Sequence, residues 1–216
     1  MRKTIVNKTF LSTLLLAIVY MVGIIAVVSG RGTEIMTLTW ANLLFAAGVF
    51  LFNAEKINLK YILWFLVVFL AGFGVEVIGV KTGFVFGEYS YGEILGTKLL
   101  DTPLIIGVNW SVLVFATASL VQGFRVSPFT KAFIAAAIMV IYDVVLEPVA
   151  IKTGMWAWSS QQVPVQNYFA WFFISFGLLY GAFAFVKTLK NKTAFPLLVM
   201  QVIFFVVILS YYGLGN

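Results

Sequence analysis

Long apolar runs separated by short polar breaks dominate the chain. A helix that crosses a bilayer needs about 20 apolar residues, with a range of roughly 17–25. Seven runs meet or approach that length: Phe10–Ser29, Ile35–Phe52, Leu59–Val80, Pro103–Phe124, Phe129–Ala150, Tyr168–Val186 and Phe195–Leu214. The second is the shortest. The first follows Arg2, Lys3 and Lys8, as a signal peptide would, but it is long for a signal core and lacks a clean small-residue cleavage site. The pattern predicts an all-α polytopic membrane bundle of about seven transmembrane helices, forming one domain over residues 1–216.

The breaks carry an orientation signal. One set holds Arg2, Lys3, Lys8, Lys56, Lys60, Arg125, Lys131, Lys187, Lys190 and Lys192; the other holds Arg31, Lys81, Lys98 and Lys152. Cytoplasmic loops are enriched in Lys and Arg, which predicts a cytoplasmic N-terminus. The outer connections 81–102 and 151–167 are long, weakly charged and rich in glycine and aromatics. A solvated loop would carry more charge, so both are expected to fold back on the bundle as lids or re-entrant segments.

Those two connections begin alike. Glu76-Val-Ile-Gly-Val80-Lys81-Thr82-Gly83 matches Glu147-Pro-Val-Ala-Ile151-Lys152-Thr153-Gly154, sharing E-x-x-x-V/I-K-T-G. Aromatics follow each copy, Phe84 and Phe86 in one and Trp156 and Trp158 in the other. Pro103 then precedes Trp110 by the same spacing as Pro164 precedes Trp171. The reading is a parallel internal repeat, with units 60–124 and 131–187 covering helices three and four, then five and six. Repeat interfaces in membrane proteins commonly hold the substrate.

Composition narrows the chemistry. The 216 residues are 62% hydrophobic and 10% charged, with mean hydropathy +1.04. Soluble domains are about one quarter charged. The net charge of +6 therefore reflects membrane topology and not nucleic-acid binding. The absence of Cys and His excludes thiolate and imidazole chemistry and the usual metal-ligand runs. Of the eight acids, only Glu76, Asp143 and Glu147 fall within predicted helices, toward their outer ends. Carboxyls inside a membrane are costly and default to functional candidates. Asp143 and Glu147 share a helix face at i, i+4, and Pro148 frees the Val144 carbonyl beside them.

Crowded carboxyls in an apolar site suit one protonated acid beside an ionised base. The competing reading pairs Glu76 or Glu147 with Lys81 or Lys152. Phe84, Phe86, Tyr89, Tyr91, Trp110, Trp156, Trp158 and Trp171 map to the same face. They read either as an interfacial belt or as the wall of a polyene pocket that can face a carbocation. A retinal pigment is set aside because the last helix has no lysine. A transporter is disfavoured because both motif copies lie on one side and no helix is broken at mid-depth.

Gly79 through Phe84, Phe86-Gly-Glu-Tyr-Ser-Tyr-Gly92, Pro103 and Asn109-Trp110 resemble the integral-membrane carotenoid biosynthesis family, whose characterised members are CruF-type carotenoid hydratases. Asp143-Val-Val-Leu-Glu-Pro-Val149, Trp156-Ala-Trp158 and the stretch from Val163-Pro164 through Asn167 to Trp171 resemble its later blocks. The chain departs at Glu147, where Asp is expected, and at Ala170, where Gly is expected. The longer Glu147 would reposition its carboxyl.

The resemblance implies cofactor-independent addition of water to the terminal C=C of an acyclic carotenoid end group, giving a tertiary alcohol. In that reading Asp143, assisted by Glu147, is the acid, and Glu76 activates water with Asn109 or Asn167. The acid and base labels of Asp143 and Glu76 are interchangeable on sequence alone. Trp110, Trp156 and Trp171 line the cation. Phe86, Tyr89, Tyr91, Trp158, Thr82, Lys81 and Lys152 complete the expected binding set. The implied partners are an acyclic or monocyclic carotenoid, water, membrane lipid and other carotenoid-pathway membrane enzymes. The implied location is a prokaryotic cytoplasmic membrane. A cyclase or isomerase using the same cation, and a non-enzymatic carotenoid- or quinone-binding protein, are the alternatives.

Overall fold

The computed structural model describes residues 2–214, with side chains described from Lys8 to Gly213. The basic Arg2 and Lys3 side chains of the orientation argument lie outside that description. Among the described residues, eight α-helices form a bundle: α1 (Arg2–Ala26), α2 (Gly32–Met36), α3 (Thr39–Phe52), α4 (Leu59–Thr82), α5 (Ile105–Val121), α6 (Pro128–Thr153), α7 (Val165–Phe185) and α8 (Ala194–Leu214). Five helical stretches are long and apolar enough to cross a membrane; Thr39–Phe52 and Ile105–Val121 are shorter. The architecture is the expected polytopic membrane bundle.

Two boundaries differ from the sequence reading. Residues 30–34 were expected to be a loop. Instead, a wide helical turn, Val27–Arg31, joins α1 to α2, and the long apolar stretch runs to Met36. Gly30 takes φ 83° there, a conformation that glycine adopts without Cβ strain. The break falls at Thr37–Leu38, so α3 keeps 14 residues, about 21 Å at 1.5 Å per residue. Similarly, Pro103 lies outside α5. Lys98–Leu99 (β2) pairs antiparallel with Thr102–Pro103 (β3), and Leu100 and Asp101 turn the chain at φ 54° and 63°.

The 17-residue α5 is the centre of the molecule. It packs against α3, α4, α6, α7 and α8, and Trp110 through Ala118 are all buried. A helix enclosed by protein on every side does not have to match the thickness of the hydrocarbon. α4 packs closely on α5, and α6 on α7. Both α4 and α6 end on left-handed glycines, Gly83 and Gly154. At the opposite end, Asn191 donates from Nδ2 to the Phe50 carbonyl at 2.7 Å and from its backbone N–H to Ser119 Oγ at 2.8 Å. It thereby ties the α7–α8 connection to α3 and α5.

The long connections 81–102 and 151–167 fold back on the bundle, as expected, and they pair with each other. Tyr89–Tyr91 (β1) and Trp156–Trp158 (β4) form an antiparallel ribbon, with Tyr89 opposite Trp158, Ser90 opposite Ala157 and Tyr91 opposite Trp156. Gly92 donates to the Met155 carbonyl at 2.8 Å, and Ser159 to the Glu88 carbonyl at 3.0 Å. A Cβ on Gly92 would collide with the Gly154 carbonyl oxygen. This position therefore requires glycine so that the two backbones can approach.

Candidate functional site

The ribbon roofs a cavity of about 420 Å³ lined by Glu76, Asp143 and Glu147. All three carboxyls are buried. Their positions follow from helix geometry. Glu76 sits on α4, under β1. Asp143 and Glu147 occupy successive turns of one face of α6, under β4 and against α7.

The carboxyls differ in their hydrogen bonds. Glu76 Oε2 accepts from Tyr89 Oη at 2.5 Å and Tyr91 Oη at 2.7 Å, while Oε1 accepts from Trp110 Nε1 at 3.0 Å. Glu147 Oε2 accepts from Trp156 Nε1 at 3.0 Å and Trp158 Nε1 at 2.9 Å. Its Oε1 has only a long contact, 3.4 Å, from Asn167 Nδ2. Asp143 Oδ2 accepts from Asn167 Nδ2 at 2.8 Å, and its buried Oδ1 has no partner among the described residues. Each ribbon strand thus supplies two alternate side chains, on one face of the strand, to one glutamate.

Burial and the adjacent Glu76 charge push the phenols of Tyr89 and Tyr91 well above their ordinary range. They therefore remain hydrogen-bond donors through physiological pH.

The aromatics are wall and frame. Trp110 and Trp171 stack with centroids 4.4 Å apart and an interplanar angle of 24°. Gly72 makes the space: a Cβ there would lie 2.5 Å from Trp110 Cγ, whereas Gly74 faces no atom within 4 Å. Phe86 is buried and meets Tyr89 edge to face at 6.0 Å. Phe84, by contrast, is exposed.

The structure brings Glu76, Phe86, Tyr89, Tyr91, Asn109, Trp110, Asp143, Glu147, Trp156, Trp158, Asn167 and Trp171 to this one cavity. It leaves out three expected binding residues. Lys81 is exposed and pairs with Asp101. Thr82 is exposed and caps its own helix end, donating to the Ile78 carbonyl and accepting from the Phe84 N–H. Lys152 is exposed at the end of α6. All three follow their acids by five or six residues, beyond the helix face that turns inward. Among the described residues, the salt bridges are Lys81–Asp101 and Lys98–Glu93. The alternative in which a lysine neutralises Glu76 or Glu147 is therefore not realised. Asn167 joins Asp143 to Glu147 on the α6 side of the cavity.

Sequence reasoning missed the remaining wall. Tyr20 (α1), Asn42 (α3), Tyr142 (α6), Gln201, Phe204 and Phe205 (α8) also line the cavity. The available signal was isolated polar residues in otherwise apolar spans. The cavity opens laterally: Ile18, Val22, Leu38 and Phe45 both line it and lie exposed on the outer surface of α1 and the α2–α3 segment.

The chain is thus an apolar membrane bundle whose three buried acids converge under an aromatic roof. The profile of the carotenoid biosynthesis protein family matches residues 35–215, and the chain belongs to that family. It is similar to the bisanhydrobacterioruberin hydratase of Haloarcula japonica, with 36% identity over 110 residues. That alignment covers 47% of this chain and 38% of the hydratase. No solved structure matches.

Proposed function

We propose that this protein is a carotenoid hydratase, adding water to the terminal C=C of an acyclic end group to give a tertiary alcohol. The observation that carries this is the buried, unpartnered Oδ1 of Asp143, a residue in the wall of a cavity that also holds two donor-supplied carboxylates. Family membership and the resemblance to a hydratase support it. The end group enters through the lateral opening on α1–α3, and the rest of the polyene stays in lipid. The membrane is a prokaryotic cytoplasmic membrane, consistent with an archaeal relative.

Asp143 donates its Oδ1 proton to the less substituted alkene carbon. The π pair forms the new C–H bond and leaves a tertiary cation on the neighbouring carbon. Trp171, backed by the stacked Trp110, and the roof aromatics stabilise it, at about 0.5–2 kcal/mol per contact. Water attacks the cation, forming C–O, and releases its proton to a carboxylate.

The hydrogen bonds favour a division of labour different from the sequence reading. Glu76 accepts from three donors, a set that favours the charged form, and serves as the cation's counter-charge. Glu147 Oε1, with one long contact, is the freer acceptor and takes the proton from water. Asn109, on the same wall, orients that water. The proton returns from Glu147 to Asp143 across one helical turn, with Asn167 bonded to both. No cofactor is required by this chemistry.

We further read 60–124 and 131–187 as repeat units about a pseudo-twofold axis. Equivalent strands pair through their midpoints, Ser90 and Ala157, and the equivalent Trp110 and Trp171 stack. If so, exchanging Tyr89 and Tyr91 with Trp156 and Trp158 should retain a folded, extractable protein; aggregation of that four-site variant alone among the ribbon variants would count against the repeat.

The deciding experiment is expression in a host that accumulates lycopene, followed by mass analysis of the pigments. Gain of water supports hydration. Cyclised or isomerised pigment of unchanged mass would replace it with the cyclase or isomerase reading, and unchanged pigment would leave a binding protein.

A further inference from the structure

The chemistry above leaves one set of cavity-lining polar groups unused. Tyr20, Asn42 and Gln201 come from α1, α3 and α8, helices outside the two proposed units. Tyr20 is 5% exposed and Gln201 3%. Phe204 holds the Tyr20 ring edge to face at 5.9 Å. The Tyr20 hydroxyl faces the Gln201 and Asn42 side chains, yet it is in hydrogen-bond geometry with neither. Tyr20 Oη, Asn42 Oδ1 and Gln201 Oε1 have no partner among the described residues. Tyr142, which directly precedes Asp143 on α6, lines the same cavity as this set and Asp143.

Three orphaned polar atoms in an apolar membrane interior call for a ligand that satisfies them, because lipid supplies no hydrogen bonds. Their inventory is one phenolic O–H and two amide carbonyl oxygens. A water molecule matches all three: it accepts from Tyr20 and donates one proton to each amide oxygen. An alcohol has one proton and satisfies only one of the two amides. The polyene itself satisfies neither.

We propose that Tyr20, Asn42 and Gln201 form a water-holding subsite that supplies the molecule captured by the cation. The proposal rests on the hydratase reading for the water's fate, but not for the water's presence. The three are positioning residues. Without them the cation still forms at Asp143, and instead of being captured it loses a proton and returns to alkene.

The test uses the full chain in D₂O with an acyclic carotenoid, comparing wild type with Tyr20→Phe/Gln201→Met. Deuterium in recovered alkene reports cation formation, and alcohol reports capture. The expected result is a fall of about tenfold in the alcohol-to-exchange ratio, roughly the worth of one hydrogen bond. Deuterium incorporation and thermal stability should be maintained. An unchanged ratio, or a parallel fall in both products, would overturn the proposal. So would an unchanged ratio with weakened binding only of a hydroxylated carotenoid, which would assign the trio to a ligand alcohol. An experimental density map of the unreacted protein gives a readout independent of turnover: ordered water touching Tyr20 Oη and Gln201 Oε1 is expected, and its absence in a well-ordered map refutes the subsite. If wild type shows neither alcohol nor exchange, the hydratase reading fails, and the map alone decides the water site.

Discussion

Replacing Asp143 by Asn separates catalysis from architecture, because this carboxyl contributes few contacts to the fold. It is fully buried, accepts one hydrogen bond from Asn167 at 2.8 Å and leaves Oδ1 unpaired. The substituted amide keeps its oxygen toward Asn167 and places its NH₂ where the unpaired oxygen stood. No donor loses its acceptor, so folding stability should stay within about 1 kcal/mol of wild type. The reaction, however, loses its proton donor. General acid catalysis contributes about 10²–10⁴-fold, equivalent to about 2.7–5.4 kcal/mol of barrier.

Glu76→Gln is the control with the opposite structural cost. Tyr89 and Tyr91 both donate to Oε2 and Trp110 to Oε1. Whichever way a glutamine amide is turned, its NH₂ faces at least one donor. That leaves a buried group unsatisfied, for about 1–3 kcal/mol and a drop of several degrees in Tm. The assays are pigment mass in a lycopene-accumulating host and thermal unfolding of the purified protein. An Asp143→Asn protein that retains more than about a tenth of wild-type hydration, or that loses as much Tm as Glu76→Gln, would refute the reasoning.

Three further outcomes are expected. Gly92→Ala should destabilise by about 1–3 kcal/mol, because its Cβ meets the Gly154 carbonyl and parts the ribbon; a Tm equal to wild type would show that the ribbon is not tightly packed. Trp158→Phe removes one of two indole donors to Glu147 Oε2 and should lower hydration more than it lowers cation formation measured by deuterium exchange; an equal fall in both would contradict Glu147 as the base. The Lys81 ammonium holds the exposed Asp101 carboxyl below its ordinary value, so the loop stabilisation is present above the usual carboxylate range and lost as pH falls through the lowered value. The small Tm difference between wild type and Asp101→Asn should therefore vanish in strong acid, and a difference that persists there would argue against the ion pair.

Much of the site was legible because membranes impose simple rules. A carboxyl in an apolar helix is conspicuous, so Glu76, Asp143 and Glu147 could be picked from composition and hydropathy. The repeated E-x-x-x-V/I-K-T-G located the two helix ends from which the roof strands depart. The lysines and Thr82 of that motif lie outside the cavity because a short motif records adjacency along the chain, whereas five or six residues past the acid the helix presents a different face. The lengths of α3 and α5 were overestimated because hydropathy registers apolar content and not where the backbone turns, at Thr37–Leu38 and at the hairpin before α5.

From the sequence alone, the bundle, the three buried acids and the aromatic company they keep could be deduced, since each is a local property of residue type in an apolar run. The tertiary structure decided which donor meets which oxygen. Pairing of the two outer connections delivers two tyrosines to one glutamate and two tryptophans to the other, and Asn167 joins the remaining acid. It also decided that α1, α3 and α8 close the cavity with Tyr20, Asn42 and Gln201. Contacts between residues far apart in the chain depend on how helices cross and how strands register, and no local pattern encodes either.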